Sequence, residues 1–255
     1  MNTRQLILFS AILLCACKSS IREKEDKIYS RHLQRHVNLT VITTPMPSDK
    51  SDMNLLLYLN GQDFEEMALK SIVDSLYKEN SIQPITIVGI HGNKEEYGMT
   101  DFTGKAGQFN QFVIKELSPF IRKKTGVRKF RSVAIWGASQ QGIGALDIAW
   151  QHADKIDKVG VFEGDFGYAG KNDSTEMVIE NLRRSRKRPR LEYWFYAAES
   201  DTANLRAAST LVQVINQKNI SNKADIHLFV DTTGLNRSRI LQKRFAEFLS
   251  AAFGK

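Results

Sequence analysis

Cysteine is nearly absent from this 255-residue chain: there are two, Cys15 and Cys17, both within the first seventeen positions. The rest of the sequence therefore offers no disulfide and no thiolate metal site. No internal repeat and no low-complexity block appears. With 42% hydrophobic and 25% charged residues, the composition excludes collagen, a disordered tail and a multi-span membrane protein. Excess charge is modest, +8 from 36 Lys and Arg against 28 Asp and Glu. That surplus favours solubility and weak attraction to anionic surfaces, and by itself does not make a nucleic-acid binder. The length is enough for one large core.

Long apolar runs are short too. After Arg4, the segment from Leu6 to Leu14 is apolar, but a bilayer span needs ~20 residues. The segment ends Leu14-Cys15-Ala16-Cys17, which resembles a bacterial lipoprotein signal. The resemblance makes 1–16 a signal peptide and Cys17 the lipidated residue, with Leu14 three before it and small Ala16 directly before it. A plain secretory signal with incidental cysteines is the other reading. Residues 17–30 read as a polar tether and 31–255 as one domain.

Within that domain, apolar runs alternate with amphipathic stretches. Val37–Ile42 alternates at period two; Leu55–Leu59, Ile85–Ile90, Ser132–Gly137, Val159–Phe162, Leu191–Tyr196 and Asp225–Val230 read as further strands. Helical spacing marks Glu66–Lys78, Phe109–Lys124 (with Pro119 as a candidate kink), Gly142–His152, Thr210–Asn216 and Arg239–Phe253. Strands alternating with helices predict an α/β fold, a mostly parallel central sheet with helices on both faces.

Such a sheet presents its chemistry at the carboxyl ends of its strands. One end reads Ile135-Trp136-Gly137-Ala138-Ser139-Gln140-Gln141-Gly142 and runs into a helix. A serine between a strand and a helix, among small residues, is the context of a nucleophile elbow, where the next backbone N–H can stabilise an oxyanion. Around it stand Leu59-Asn60-Gly61-Gln62-Asp63, Val88-Gly89-Ile90-His91, Glu96-Tyr97-Gly98, Glu116-Leu117-Ser118-Pro119 and Phe245-Ala246-Glu247-Phe248. In this order and spacing the chain resembles the putative-esterase (esterase D and enterochelin esterase) branch of the α/β-hydrolases. The resemblance implies Ser139 as nucleophile, Asp201 as the acid, and Gln140 with Gly61 or Gln62 as oxyanion donors. It implies no cofactor and a carboxylic ester as substrate.

Three positions depart from that pattern. Leu235 stands where the family carries its histidine, and leucine accepts no proton; loss of a triad member typically leaves only ~10³–10⁴-fold catalysis over water. Gln141 stands where the elbow wants glycine, which would relax the turn and expose Ser139 less sharply. Glu163 and Asp165 add carboxylates near the presumed pocket, Glu163 as a candidate substrate contact. His91, at the end of a central strand, is the candidate substitute base, with a pocket-lining role as its other reading. Glu163, Asp165 and Asp201 have no diagnostic metal spacing, so no metal is expected. The basic run Arg183–Arg190 reads either as a solvated helix end or as a contact for anionic headgroups or polysaccharide.

Two functions remain open at this stage. The first is a catalytically impaired or silent esterase-like lipoprotein of the cell envelope. It would bind a small ester or a carbohydrate-linked ligand in its cleft, meet the membrane through Cys17 and take no nucleic acid. The second is an active serine ester hydrolase with a non-standard base.

Overall fold

In the computed structural model, residues 21–92, 107–164, 174–218, 226–233 and 237–255 are described. The expected signal, Cys17, Glu96–Gly98, Asp165 and Leu235 lie outside them. Eight strands form one sheet: β1 (Arg22–Ser30), β2 (Arg35–Thr43), β3 (Asn54–Tyr58), β4 (Ile85–Ile90), β5 (Val133–Ala138), β6 (Lys158–Phe162), β7 (Glu192–Ala198) and β8 (Ile226–Asp231). Their spatial order is β1-β2-β4-β3-β5-β6-β7-β8. β2 runs antiparallel to β1 and β4, and every later pairing is parallel. The helices are α1 (Leu69–Lys78), α2 (Gly107–Gln111), α3 (Ser118–Thr125), α4 (Gln140–Gln151), α5 (Ser174–Arg184), α6 (Thr202–Gln217) and α7 (Arg237–Phe253). Among the described residues, no helix is long and apolar enough to cross a membrane.

The sheet separates two apolar cores because alternate side chains leave a strand on opposite faces. Leu55, Leu57 and Ile135 face one core with Leu146, Trp150 and Leu211. Leu56, Tyr58, Ala134 and Trp136 face the other with Val73 of α1 and Phe245 and Phe248 of α7. Central strands covered on both faces read as continuous apolar runs, which is why β3 and β4 were plain in the sequence.

The expected tether over 17–30 is corrected from Arg22 onward. Those residues form β1, paired along its whole length with β2 from Arg22–Thr43 to Ser30–Arg35. The charged run Arg22-Glu23-Lys24-Glu25-Asp26-Lys27 misled because an edge strand is mostly exposed and carries charge without cost. The hairpin turn is tied down by Glu116, whose carboxylate accepts from Ser30 Oγ (2.6 Å) and Arg31 N (2.9 Å).

The expected helix Phe109–Lys124 is broken into three pieces. A π-helical turn, Phe112–Leu117, joins α2 to α3, and Ser118 Oγ donates to Val113 O at 2.9 Å. Pro119 does not kink a helix interior; it sits in the first turn of α3, where an absent N–H costs nothing. α6 starts at Thr202 rather than Thr210, because Asp201 caps it.

Candidate active site

β5 ends in the elbow. Ser139 has φ 53° and ψ −125°, backbone that side-chain-bearing residues rarely adopt. Three bonds enforce it. Ser139 N donates to Phe162 O (2.9 Å), Gly142 N donates to Ser139 O (3.0 Å), and Ala138 N donates to the buried Oδ1 of Asn60 (3.0 Å). The last bond locks the elbow to the loop that begins at Asn60. Gln141 does not relax the turn: it is buried, and the tight approach is absorbed by glycine on the other side. A Cβ on Gly137 would stand 2.3 Å from Gln141 O, closer than real Cβ atoms come to backbone.

Gln140 is the first residue of α4, so its N–H belongs to the amides that a helix leaves without an intrahelical acceptor. Gly61 and Gln62 open a 3₁₀ turn, Gly61–Asp63, with Gly61 buried and Gln62 exposed. Gly61 has no room for a side chain, since a Cβ would lie 2.6–2.7 Å from the backbone of Gly89 and Ile90.

The Ser139 hydroxyl meets a residue that the sequence did not single out. Arg237, the first residue of α7, donates from Nη2 to Ser139 Oγ at 2.6 Å and from Nε to Glu163 Oε2 at 2.8 Å. Glu163 follows β6 with φ 44°, and its N–H donates to Tyr196 O at 2.8 Å. The guanidinium thus bridges the expected nucleophile and the expected substrate contact. A guanidinium carries only N–H donors, so it holds the oxygen without a lone pair to accept its proton.

His91 points elsewhere. Its Nε2 lies 2.7 Å from Thr40 Oγ1, and the Thr40 hydroxyl donates to Glu25 Oε1 at 2.8 Å. The single hydroxyl hydrogen is directed at Glu25, so Nε2 meets the Thr40 oxygen as its donor. His91, Gly61 and Gln62 line a cavity of about 480 Å³ together with Thr40 and Glu25. Asp201 spends both carboxylate oxygens on Asn204, from its N (3.1 Å) and its Nδ2 (2.7 Å), as the cap of α6. Of the other histidines, His227 stacks on Trp194 with centroids 4.1 Å apart and His36 packs edge-on to Tyr29 at 5.2 Å. The structure therefore brings Ser139 and Glu163 together on Arg237, with Gln140 next to Ser139 at the start of α4. It groups His91 with Gly61 and Gln62, and sets Asp201 at a helix start.

Asp63 connects the two groups. Its carboxyl is held above the usual range, first by burial and then by the neighbouring charge of Glu66; a hydrogen bond from Asn60 and the charges of Arg237 and His91 pull the other way. Burial also raises the Tyr58 phenol well above its ordinary value, with the Asp63 charge adding to it. Among the described residues, no group of three or more His, Cys, Asp or Glu side chains is placed to hold a metal. The basic run ends α5 in ion pairs, Arg183 and Arg184 to Glu180 at 2.9 and 2.7 Å. Lys218 Nζ donates to the carbonyls of Arg183 and Ser185 at 2.8 and 2.6 Å, which satisfies the helix end.

Arg237 and Asn60 are the residues of the candidate site whose contacts sequence reasoning missed. Asn60 was visible as the start of a loop and Arg237 as a cation opening the last helix. Neither carried a signal for its partner across the fold.

Comparison with known proteins identifies the family and the fold. The family model described as putative esterase matches residues 30–230. A ferulic acid esterase structure superposes with a TM-score of 0.71 at 14% identity, covering 92% of this chain and 98% of that one. The enterobactin esterase of Shigella flexneri, in the presence of enterobactin, gives 0.75 at 16% identity over 91% of this chain; this chain spans 58% of it. The siderophore hydrolase EstB of Aspergillus nidulans gives 0.68 at 10% identity, covering 90% and 95%. No curated protein matches the chain. At these identities the likeness is one of fold, and the fold is that of the α/β-hydrolases, with its mostly parallel eight-stranded sheet flanked by helices.

Proposed function

Because the chain belongs to the putative esterase family, we propose that it is an esterase-fold protein of the cell envelope whose serine lacks a proton acceptor and whose cleft binds a ligand rather than turning it over. The single observation that carries this reading is the 2.6 Å bond from Arg237 Nη2 to Ser139 Oγ. An ester hydrolase needs a group beside the serine that takes the hydroxyl proton as the carbonyl is attacked. Arg237 meets the oxygen with a donor, and Leu235, two residues before it in sequence, stands where the resemblance puts the family's histidine. His91 turns to Thr40, His227 stacks on Trp194 and His36 packs against Tyr29.

What remains is suited to holding a polar ligand. The guanidinium presents planar donors that match a carboxylate or an ester carbonyl. The free amides at the start of α4 add further donors. The ligand class is a small ester or a carbohydrate-linked molecule. Cys17 anchors the chain through acyl groups; labelling with a clickable fatty acid tests this, and label that survives Cys17→Ser would reject it.

The second reading, an active hydrolase with a non-standard base, is favoured by one observation: the strained backbone of Ser139 is retained. Hydrolysis of p-nitrophenyl butyrate by the wild-type chain and by Ser139→Ala separates the two. The proposal expects equal, background rates. Turnover that disappears in Ser139→Ala would establish the second reading instead.

A further inference from the structure

A second concavity lies at the opposite end of β5 from Ser139. Strand residues rise ~3.3 Å each, so the six residues of β5 put roughly 20 Å between them. The cavity measures about 420 Å³ and is formed where β3, β5 and the start of β6 meet the π-helical turn. Its inner wall is apolar, made by Leu55, Leu57, Ile114, Phe130 and Ile156, all buried. Its rim is cationic, with Arg122, Arg128, Lys129, Arg131 and Lys155 against Asp154 and Asp157.

The two acids offset only part of this rim: five cations against two carboxylates leave it positive. Asp157 Oδ2 accepts from Val133 N (2.8 Å) and Ser132 Oγ (3.2 Å). Arg131 leans outward to Asp52 at 3.6 Å, a pair in which both side chains are 55% exposed. Arg122, Arg128, Lys129 and Lys155 form no ion pair among the described residues. The cations that outnumber the acids around this mouth repel each other, and an anion seated there relieves that repulsion. The π-helical turn supplies a second observation. It contributes Ile114 to the wall, and Ser118, which donates to Val113 O, also lines the cavity. Single π turns inside helices occur disproportionately at functional sites.

We propose that this cavity is a binding site for a small amphipathic anion, with its apolar body against Leu55, Leu57 and Phe130 and its carboxylate or phosphate among Arg122, Arg128, Lys129 and Lys155. The site is separate from the Ser139 cleft and does not depend on how that cleft is used. Charge selects the head group, and the buried wall selects against a fully solvated ion such as inorganic phosphate.

Calorimetric titration of the full chain with octanoate and with octyl phosphate, at low ionic strength, tests this. Saturable binding is expected for both. The triple change Arg128→Gln, Lys129→Gln, Lys155→Gln should weaken it at least tenfold, and raising salt should weaken it as well, because exposed charges are screened. These positions are exposed, so the variant is expected to melt with the wild type. Octanol and octyltrimethylammonium should bind at least tenfold more weakly than octanoate. Arg206→Gln, an exposed charge change on α6 that lines neither site, should leave octanoate binding unchanged. The proposal is overturned by no saturable heat, by equal binding of octanol, by an unaffected triple variant, or by an equal loss of binding in Arg206→Gln.

Discussion

The backbone at Ser139 can be tested without any substrate. With φ 53° and ψ −125°, the residue lies in a region that a Cβ makes costly and glycine occupies freely. Ser139→Ala keeps the Cβ and therefore the strain, whereas Ser139→Gly removes both. Each variant loses the hydroxyl bonded to Arg237, so that term cancels in the comparison. Strain of this kind costs ~1–3 kcal/mol, and glycine returns ~0.5–1 kcal/mol through its larger unfolded-state entropy. At mid-range values Ser139→Gly is therefore expected to exceed Ser139→Ala in stability by about 1 kcal/mol. For a domain this size that is a melting difference of roughly 2–4 °C. Urea denaturation with matched m-values, or calorimetry, measures it directly. If the alanine variant proved equal to or more stable than the glycine variant, the elbow would not be strained in the way described, and the case for a displayed serine would fail.

Asn60→Ala leaves the buried Ala138 N–H without its 3.0 Å acceptor; a stability loss of ~1–3 kcal/mol is expected, and a loss below the error of a urea titration would deny the bond its role. Asp63 has a raised folded-state pKa, so its ionisation is harder in the folded chain and stability falls as pH rises from about the ordinary value of 3.8 through the raised value. Asp63→Asn removes that penalty and should melt higher than wild type at pH 7, with the gain vanishing as pH falls toward 3.8. The gain will be reduced by solvent screening, because the carboxyl is only partly buried; a gain that persists unchanged at low pH would contradict the assignment.

What could be read in advance followed burial. β3, β4 and β5 are covered on both faces, so their apolar runs announced them, and the order of strand, serine and helix announced the elbow. β1 escaped because an edge strand shows water most of its side chains, and its charges looked like a tether. α1 starts at Leu69 rather than Glu66 because Ala68 takes a left-handed conformation, φ 49°, which periodicity does not encode. The site was legible only where the residues are close in sequence. Ser139, Gln140 and the Asn60 loop were read from one turn and one loop, but the contact on the Ser139 hydroxyl spans 98 positions, from Arg237 to Ser139, and 74 from Arg237 to Glu163. His91 was placed correctly at the end of β4, yet its ring turns to Thr40 and Glu25. Chain position fixes where a side chain begins, and neighbours from other strands fix where it ends.

The most direct measurement is the reaction of Ser139 with a fluorophosphonate probe, which reads the nucleophilicity of the oxygen independently of any substrate fit. A hydroxyl held by Arg237 with no proton acceptor should label no faster than the Ser139→Ala background, across the pH range in which an imidazole would be neutral. Rapid, stoichiometric labelling of wild type that is abolished in Ser139→Ala would show an activated serine and contradict the account.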